Sequence, residues 1–478
     1  MKSLKKYNKL LLMITCMVLG AALFFAVEHL VLKKGEGHQT KEAEVTETLK
    51  KLQKAQNLIT ESYVEKVDSA KLLDGAIQGM VASLGDPYSV YMDEETSRQF
   101  EQSLDSSFSG IGAEVTKEGE DFIIVDRFKG SPAEKAGIKP NDKIKTIDGK
   151  SIQSLTLYQV TAKIRGPKGS KVQIGVERGD HAKDLVITVT RDDIPIETVH
   201  SKRFKKGNGY IGYLEITTFA EGTAKDLKEE LTRLEAEGID GLILDVRGNP
   251  GGLLSSVHEV LDEFVTGKKP FMHIEKRNGD REPLKSVLKE KKDYPIATLI
   301  DGGSASAAEI LAAGMQEVEG YPLIGVTTFG KGTVQQSFDL GDGSQMKLTM
   351  SKWLTPNKKW IHKKGIAPTL EVMQPPVFEL VPLQSAVVLK KGMNNEKIAV
   401  LQNMLNGLGL DVDRTDGYFS ASTEKAVQNF QKTVGLTQNG EANTATLNEL
   451  DKAIQSYKEN PKNDHQLQSA IEFITKNE

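Results

Sequence analysis

Apolar positions divide the chain into stretches of different period. An uncharged, mostly apolar run covers Leu10 to Val27, and a polar, charged tether follows at 35–44. From Val45 to Ser83 the apolar residues Leu49, Leu52, Ile59, Tyr63 and Val64, then Leu72, Leu73, Ile77, Met80 and Val81, recur at helical spacing. The turn LGDPYSVYM (Leu84 to Met92) precedes another short helix in DEETSRQFEQSL. Between His200 and Met373 strands and helices alternate. Gly209 to Leu214 reads as a strand, Thr223 to Glu237 as an amphipathic helix, and Leu242 to Val246 as a buried strand. A tight NPGG turn and a helix over Leu253 to Val265 come next, then a strand at Ile296 to Ile300 and an alternating strand at Met346 to Met350. Pro375-Pro376 and Pro382 mark a linker. Beyond it Leu401, Leu405, Phe419, Val427 and Phe430 fall where a small three-helix core needs them, and a final helix is expected over Gln466 to Thr475. The pattern predicts an α+β multidomain chain: a helical N-terminal region, a β-rich domain, an α/β core and a small helical C-terminal module.

Composition narrows the chemistry. A length of 478 residues suits two to four domains. With 62 basic and 66 acidic residues the net charge is −4, so no basic excess points to nucleic acid as a partner. The single cysteine, Cys16, excludes an intramolecular disulfide and a cysteine-cluster metal site. The eight histidines are scattered, and no metal or cofactor is assigned. Lys2, Lys5, Lys6 and Lys9 precede the run Leu10 to Val27, which is long enough to cross a bilayer. The basic flank favours a cytoplasmic N-terminus, giving a single-pass cell-membrane anchor with the rest of the chain extracytoplasmic. A cleaved signal peptide is the competing reading, but no A-x-A site follows the run cleanly. Cys16 follows Met13-Ile14-Thr15, without the small residue that lipidation needs just before it, and reads as a buried membrane cysteine.

The candidate chemistry lies between Asp301 and Phe338. Gly302-Gly303-Ser304-Ala305-Ser306-Ala307-Ala308-Glu309 joins the strand Ile296 to Ile300 to a helical pattern beginning at Ile310. A strand-to-helix corner exposes a hydroxyl and leaves first-turn N–H groups for a developing oxyanion. Lys331 follows, between Gly330 and Gly332, with Gln335 four residues on. A neutral lysine can take the proton of an attacking serine. Taken singly, Ser304 reads as a helix cap and Lys331 as a solvated charge. Together, GSASAAEI and FGKGTVQ resemble the active-site signature of the carboxy-terminal processing (tail-specific) proteases, a serine–lysine family. The resemblance implies Ser306, the second serine of S-A-S, as nucleophile, Lys331 as base and Gln335 as the residue that orients it. Neutrality at pH 7 would require a downward shift of about three units from 10.4, on the order of 4 kcal/mol. The segment Asp245 to Gly252 resembles the family's D-L-R-x-N-x-G-G motif with Val246 in place of leucine. It implies an oxyanion hole from Ala307 and either Gly251 or Gly252, of which Gly251 is preferred. Arg247 reads as a brace for that loop, and His362 as a surface histidine rather than part of a triad.

Residues 107–192 resemble a PDZ domain, and the family resemblance covers roughly 45–450. Phe108-Ser109-Gly110-Ile111-Gly112 is similar to the PDZ carboxylate-binding loop, where backbone N–H groups capture a peptide C-terminus. Arg165 is either a solvated loop charge or a coupling between this groove and the protease. The elements LQ, DGYF and AVQNFQ of the C-terminal module resemble a peptidoglycan-binding-like domain, with wall contact and simple packing both open. The expected organisation is tail and anchor at 1–34, tether and helical region at 35–106, PDZ domain at 107–192 and serine protease core at 193–375. A linker at 376–387, the wall-binding-like domain at 388–452 and a tail at 453–478 complete it. The helical region serves either intramolecular packing or a homodimer. The implied function is a membrane-anchored serine endopeptidase acting on protein substrates with exposed C-termini and gated by the PDZ domain. A catalytically silent PDZ scaffold and a cell-wall-binding structural protein are the alternatives.

Overall fold

The computed structural model describes residues 47, 49–105, 107–178, 183–383, 385 and 387–476. The apolar run Leu10 to Val27, its basic flanks and Cys16 lie outside the described residues. Among the described residues, no helix is long and apolar enough to cross a membrane. The chain divides into two compact units, residues 1–93 with 339–347, and residues 94–338 with 348–478.

The first unit is helical. Helix α1 (49–62) is followed by α2 (Ser69–Ala82), whose N-terminus is capped by Asp68 accepting from the Ala70 N–H. The DPYS turn is built on Asp86, whose carboxylate accepts from the Tyr88 N–H and the Ser89 hydroxyl. It delivers β1 (Val90–Met92), antiparallel to residues 345–347. Leu52, Leu73 and Met80 stay exposed, so the helices carry apolar surface beyond what this unit covers.

The second unit opens with α3 (Glu94–Leu104) and the strand β2 (Ser107–Gly110). A small sheet then runs β3 (Ala113–Glu118), β4 (Asp121–Arg127), β5 (Lys143–Ile147), β7 (Lys171–Arg178) and β8 (Lys183–Thr190), with β6 (Lys150–Ser151) paired to β5. Helices α4 (Pro132–Lys135) and α5 (Leu157–Ile164) cover it. Alternation along β7 puts Val172, Ile174 and Val176 in a core with Phe122, Ile124 and Val160. Strand β3 lies at the sheet edge, where a peptide can add as a further strand. Strand β9 (Asp192–Pro195) returns antiparallel to β2.

The larger sheet runs β10 (Val199–Lys206), β11 (Gly209–Ile216), β12 (Gly241–Asp245), β15 (Ile296–Ile300), β16 (Leu323–Gly325) and β19 (Leu370–Glu371). Only β10 is antiparallel to its neighbour. Helices α6 (Thr223–Ala236), α7 (Leu254–Leu261) and α8 (Ala307–Gly314) bury their apolar stripes in one core with the strands they connect. The all-apolar runs of β12 and β15 are completely buried, as central parallel strands require. A second, antiparallel sheet contains β13 (Met272–Lys276), β14 (Arg281–Leu284), β17 (Thr333–Asp339) and β18 (Gln345–Leu354).

The C-terminal module packs α9 (Glu396–Gly407), α10 (Ala421–Thr433) and α11 (Thr444–Glu459) around Leu401, Leu405, Phe419, Val427 and Phe430. Two segments differ from the pattern-based expectation. Residues 376–387, read as linker, carry Val377 and Leu383 into this core, and the Leu383 N–H donates to Asp451. The tail is no appendage either. Helix α12 (His465–Lys476) leaves the module and lies on the otherwise open face of the larger sheet. There Leu467, Ala470, Ile471 and Ile474 pack with Ile211, Ile243, Leu299 and Ile324. The approach is so close that a Cβ on Gly241 would fall 2.3 Å from Ile474 Cγ2. The module is therefore inserted between two pieces of the protease.

Candidate active site

Three loops leave the carboxyl ends of the consecutive parallel strands β12, β15 and β16, the edge at which α/β sheets place ligands. They carry the NPGG turn, the two serines and the lysine respectively. Ser304 and Ser306 have different fates. Ser304 is fully buried, and its hydroxyl donates to the Val246 carbonyl at 2.7 Å while accepting from the Asp301 N–H at 3.0 Å. It ties the ends of β12 and β15 together. Ser306 is half-buried and sits at φ +54, ψ −111, a backbone conformation that L-residues adopt only under constraint.

The constraint comes largely from Glu309, which is fully buried in the first turn of α8. Its Oε2 accepts from the Ser306 N–H at 2.9 Å and from the Lys331 N–H at 2.8 Å. Its Oε1 accepts from the Gly330 N–H at 2.7 Å and from the Thr328 hydroxyl at 2.6 Å. Thr328 in turn accepts from the Ile366 N–H, so its own proton points at the carboxylate. All four partners donate, as a carboxylate needs. One buried side chain thus holds the serine corner and the lysine loop together.

The carbonyls of the lysine loop are fixed as completely. Gly330 O accepts from the Lys363 N–H, Lys331 O from Trp353 Nε1 at 2.7 Å, and Gly332 O from Trp360 Nε1 at 2.7 Å. The chain has two tryptophans, and both donate to this loop. The Lys331 side chain is half-buried. Gln335, on β17, gives its amide N–H groups to Thr333 Oγ1 at 2.9 Å and Thr349 Oγ1 at 3.0 Å, which leaves Oε1 as the group it has to offer.

The NPGG turn is pressed against the serine corner. Gly251 has φ +107, and a Cβ there would lie 2.7 Å from Ser306 Cβ and 3.0 Å from the Ala307 nitrogen, so only glycine fits. The Gly251 N–H donates to Asn249 Oδ1 at 2.8 Å, so the donor preferred from the sequence is engaged within its own turn. Ala307 stands at the first position of α8, where the backbone N–H groups of a helix start are directed outward. Arg247 braces the turn from outside. Its guanidinium contacts Asp245 Oδ1 at 2.9 Å and Oδ2 at 2.5 Å, and Asp464 Oδ1 at 3.0 Å and Oδ2 at 2.8 Å. Burial opposes its charge, but Asp245 and Asp464 outweigh burial and hold its pKa well above the usual range. For Asp464 burial pushes the carboxyl up, and the Arg247 contacts outweigh that and bring it below the usual carboxylate range.

In the PDZ-like domain the five loop residues separate by role. Phe108, Ser109 and Gly110 belong to β2, paired with β9, and the Ser109 hydroxyl donates to Asp193. The side chain of Ile111 is buried in the domain core, and the carbonyls of Ile111 and Gly112 accept from the Ala133 and Phe128 N–H groups. Only backbone at Ile111 and Gly112 is left to meet a ligand. Arg165 is not a solvated charge. Its guanidinium stacks 4.7 Å over the Phe108 ring and donates to Gln102 Oε1 on α3 at 2.8 Å. The two residues line a cavity of about 1120 Å³ bounded by α3, β2 and α5, which reaches Glu221 of the protease.

A PDZ domain joined to this strained serine corner defines a class. The model of peptidase family S41 matches residues 210–372, that of the PDZ domain 109–189, a peptidoglycan-binding domain 394–450, and the N-terminal domain of the activating protease CtpB 17–96. The chain belongs to the carboxy-terminal processing serine proteases of family S41. It is 49% identical to the carboxy-terminal processing protease CtpB of Bacillus subtilis (strain 168), over 91% of this chain and 90% of that protein. It is 42% identical to CtpA of the same organism, over 89% of this chain and 90% of that protein. Among solved structures it is similar to the photosystem II D1 C-terminal processing protease, with 26% identity, 67% of this chain and 92% of that chain covered, and a TM-score of 0.41.

Sequence reading missed several residues around the site. Glu309 had a signal, the S-x-x-E spacing from Ser306 that marks a helix start. Trp353 and Trp360, Thr333 and Thr349, and Asp464 had none, since each acts through contacts that only the fold creates.

Proposed function

We propose that the protein is a membrane-anchored, extracytoplasmic endopeptidase with Ser306 as nucleophile, Lys331 as general base and Gln335 orienting the lysine. The observation that carries this reading is the Glu309 carboxylate. One of its oxygens accepts from the backbone N–H groups of both Ser306 and Lys331, at 2.9 and 2.8 Å, and this tie between the two backbones supports pairing the residues as nucleophile and base. Ser306 Oγ attacks the scissile carbonyl carbon as its proton passes to Lys331 Nζ. The resulting oxyanion is held by the Ala307 N–H and by Gly252 of the NPGG turn, since the Gly251 N–H is engaged by Asn249. The C–N bond breaks as Lys331 returns the proton to the leaving amine, leaving an acyl-enzyme at Ser306. Water, deprotonated by Lys331, then releases the new C-terminus.

The PDZ domain supplies the substrate class: proteins whose free C-terminus adds along β3, with Arg165 and Phe108 passing that event from α5 to α3 and the protease. Docking shifts the population toward the cleaving state, so the domain acts as a gate. The exposed apolar residues of α1 and α2 support pairing with a second copy. The peptidoglycan-binding-like module supports contact with the cell wall. The test is cleavage of an unfolded protein with an apolar C-terminal tail by the full-length protein in detergent, beside Ser306→Ala and Lys331→Ala. Both variants should stay folded and lose cleavage. Cleavage by Ser306→Ala at the wild-type rate would reject the assignment.

A further inference from the structure

Asp464 lies 217 residues beyond Arg247 in sequence, yet the two form a two-point ion pair with side chains only 10% and 16% exposed. The pair is embedded in further contacts. Arg247 Nη1 also reaches Gln466 Oε1, Gln466 Nε2 donates to Val372 O, and Gln374 Nε2 donates to Asp464 Oδ1 at 2.7 Å. Asp464 also starts α12, accepting from the Leu467 N–H at 2.9 Å. It stands, then, where the chain leaves the C-terminal module and re-enters the protease.

From Arg247 the turn to the nucleophile is short and stiff. The Gly248 N–H donates to Asp301 Oδ1, which also accepts from the Gly303 and Ser304 N–H groups. Asn249 donates to Ile216 O, accepts from the Gly251 N–H, and takes the Ala305 N–H on its carbonyl. Gly251 then packs directly on Ser306. No slack is left between the guanidinium and the serine corner.

We infer that Asp464 is a positioning residue for peptide hydrolysis: by clasping Arg247 it sets the 248–251 turn against Ser306, so that the last helix of the chain tunes the site. The inference rests on Ser306 being the nucleophile. It also makes the inserted module part of the catalytic unit, because anything that draws the module away from the protease pulls first on Asp464.

Asp464→Asn tests it in the full-length protein. Asparagine keeps an oxygen for the Leu467 N–H and remains a good helix start, but presents an NH₂ to Arg247 where Oδ2 had accepted. Small misplacements of a site cost on the order of 10- to 100-fold in rate. The expected result is a fall of that size in kcat on a tailed peptide, with KM near the wild-type value. The Ki of a peptide boronate, which forms a tetrahedral adduct on the serine, should rise by the same factor as kcat/KM falls. A role in folding alone would lower active-site concentration, titrated with the boronate, and leave kcat per titrated site and Ki unchanged; that result overturns the inference. If Asp464→Asn does not fold, Arg247→Lys, which keeps the charge but cannot bridge two carboxylates bidentately, must show the same kcat and Ki changes, and wild-type values there also overturn it. Activity persisting in Ser306→Ala would instead remove the underlying nucleophile assignment, whatever Asp464→Asn does.

Discussion

Glu309→Gln is the substitution whose effect can be worked most closely from the structure. It is isosteric, removes no packing, and changes only what the buried side chain can accept. Glutamate takes four donors on two oxygens, at 2.6 to 2.9 Å. Glutamine has one oxygen. Kept on the Thr328 and Gly330 side, it turns an NH₂ group toward the Ser306 and Lys331 N–H groups and leaves both unpaired. Flipped, it strands the other two. A buried donor without an acceptor costs about 1–3 kcal/mol, so the substitution is expected to cost roughly 2–6 kcal/mol. Relaxation of the two loops apart from one another relieves part of that cost, and such relaxation separates Ser306 from Lys331, the proposed nucleophile and base. At about 1.4 kcal/mol per decade, half of the lower bound retained as misplacement, about 1 kcal/mol, is roughly fivefold in kcat, and half of the upper bound, about 3 kcal/mol, is roughly a hundredfold. Peptide cleavage should therefore drop by about fivefold to a hundredfold, and the thermal midpoint should fall. Trp353 and Trp360 donate to the carbonyls of the lysine loop, so intrinsic fluorescence reports its movement independently of turnover. A variant with wild-type kcat and an unchanged tryptophan spectrum would refute the reasoning.

Three further outcomes follow from named contacts. Ser304→Ala leaves the Val246 carbonyl without its buried donor, so it should lower stability by about 1–3 kcal/mol in denaturant unfolding while the folded protein still cleaves. The Arg247–Asp464 clasp gives an acid limit: a carboxyl held below its ordinary value contributes stability above that value, 3.8, and loses it as pH falls through the lower native value. Thermal midpoints of wild type should therefore drop more steeply below about pH 4 than those of Asp464→Asn. Phe108→Ala removes the ring beneath Arg165 and should reduce cleavage of C-terminally tailed proteins more than that of a short peptide; equal losses on both would argue against the groove as a gate.

Much of this arrangement was legible in the sequence because it is written in local pattern. The apolar runs of β12 and β15, the alternation of Met346 to Met350 in β18 and the small-residue corner before α8 are decided within a few residues. The two serines were not separable by type. Buried partners separate them: Ser304 is held by Val246 and Asp301, whereas Ser306 is half-buried with a strained backbone. The tail shows the limit most clearly. Spacing of Leu467, Ala470, Ile471 and Ile474 predicts a helix, but nothing nearby tells that its partner is a sheet begun at Val199. Pro375-Pro376 and Pro382 read as linker for a similar reason. Proline reports backbone stiffness, while Val377 and Leu383 are placed by a core that assembles around them. Within the PDZ-like domain, a loop motif identified Ile111 without revealing that its side chain faces inward.

The central claim is that Ser306 is the nucleophile and Lys331 its base, and covalent labelling tests it most directly. The full-length protein would be treated with a serine-reactive peptidyl phosphonate, digested and mapped by mass spectrometry, beside Lys331→Ala. The expected result is one adduct on the active-site peptide, fragmenting to Ser306 and not Ser304, and its loss in Lys331→Ala at neutral pH. An adduct on Ser304, or undiminished labelling of Ser306 without the lysine, would contradict it.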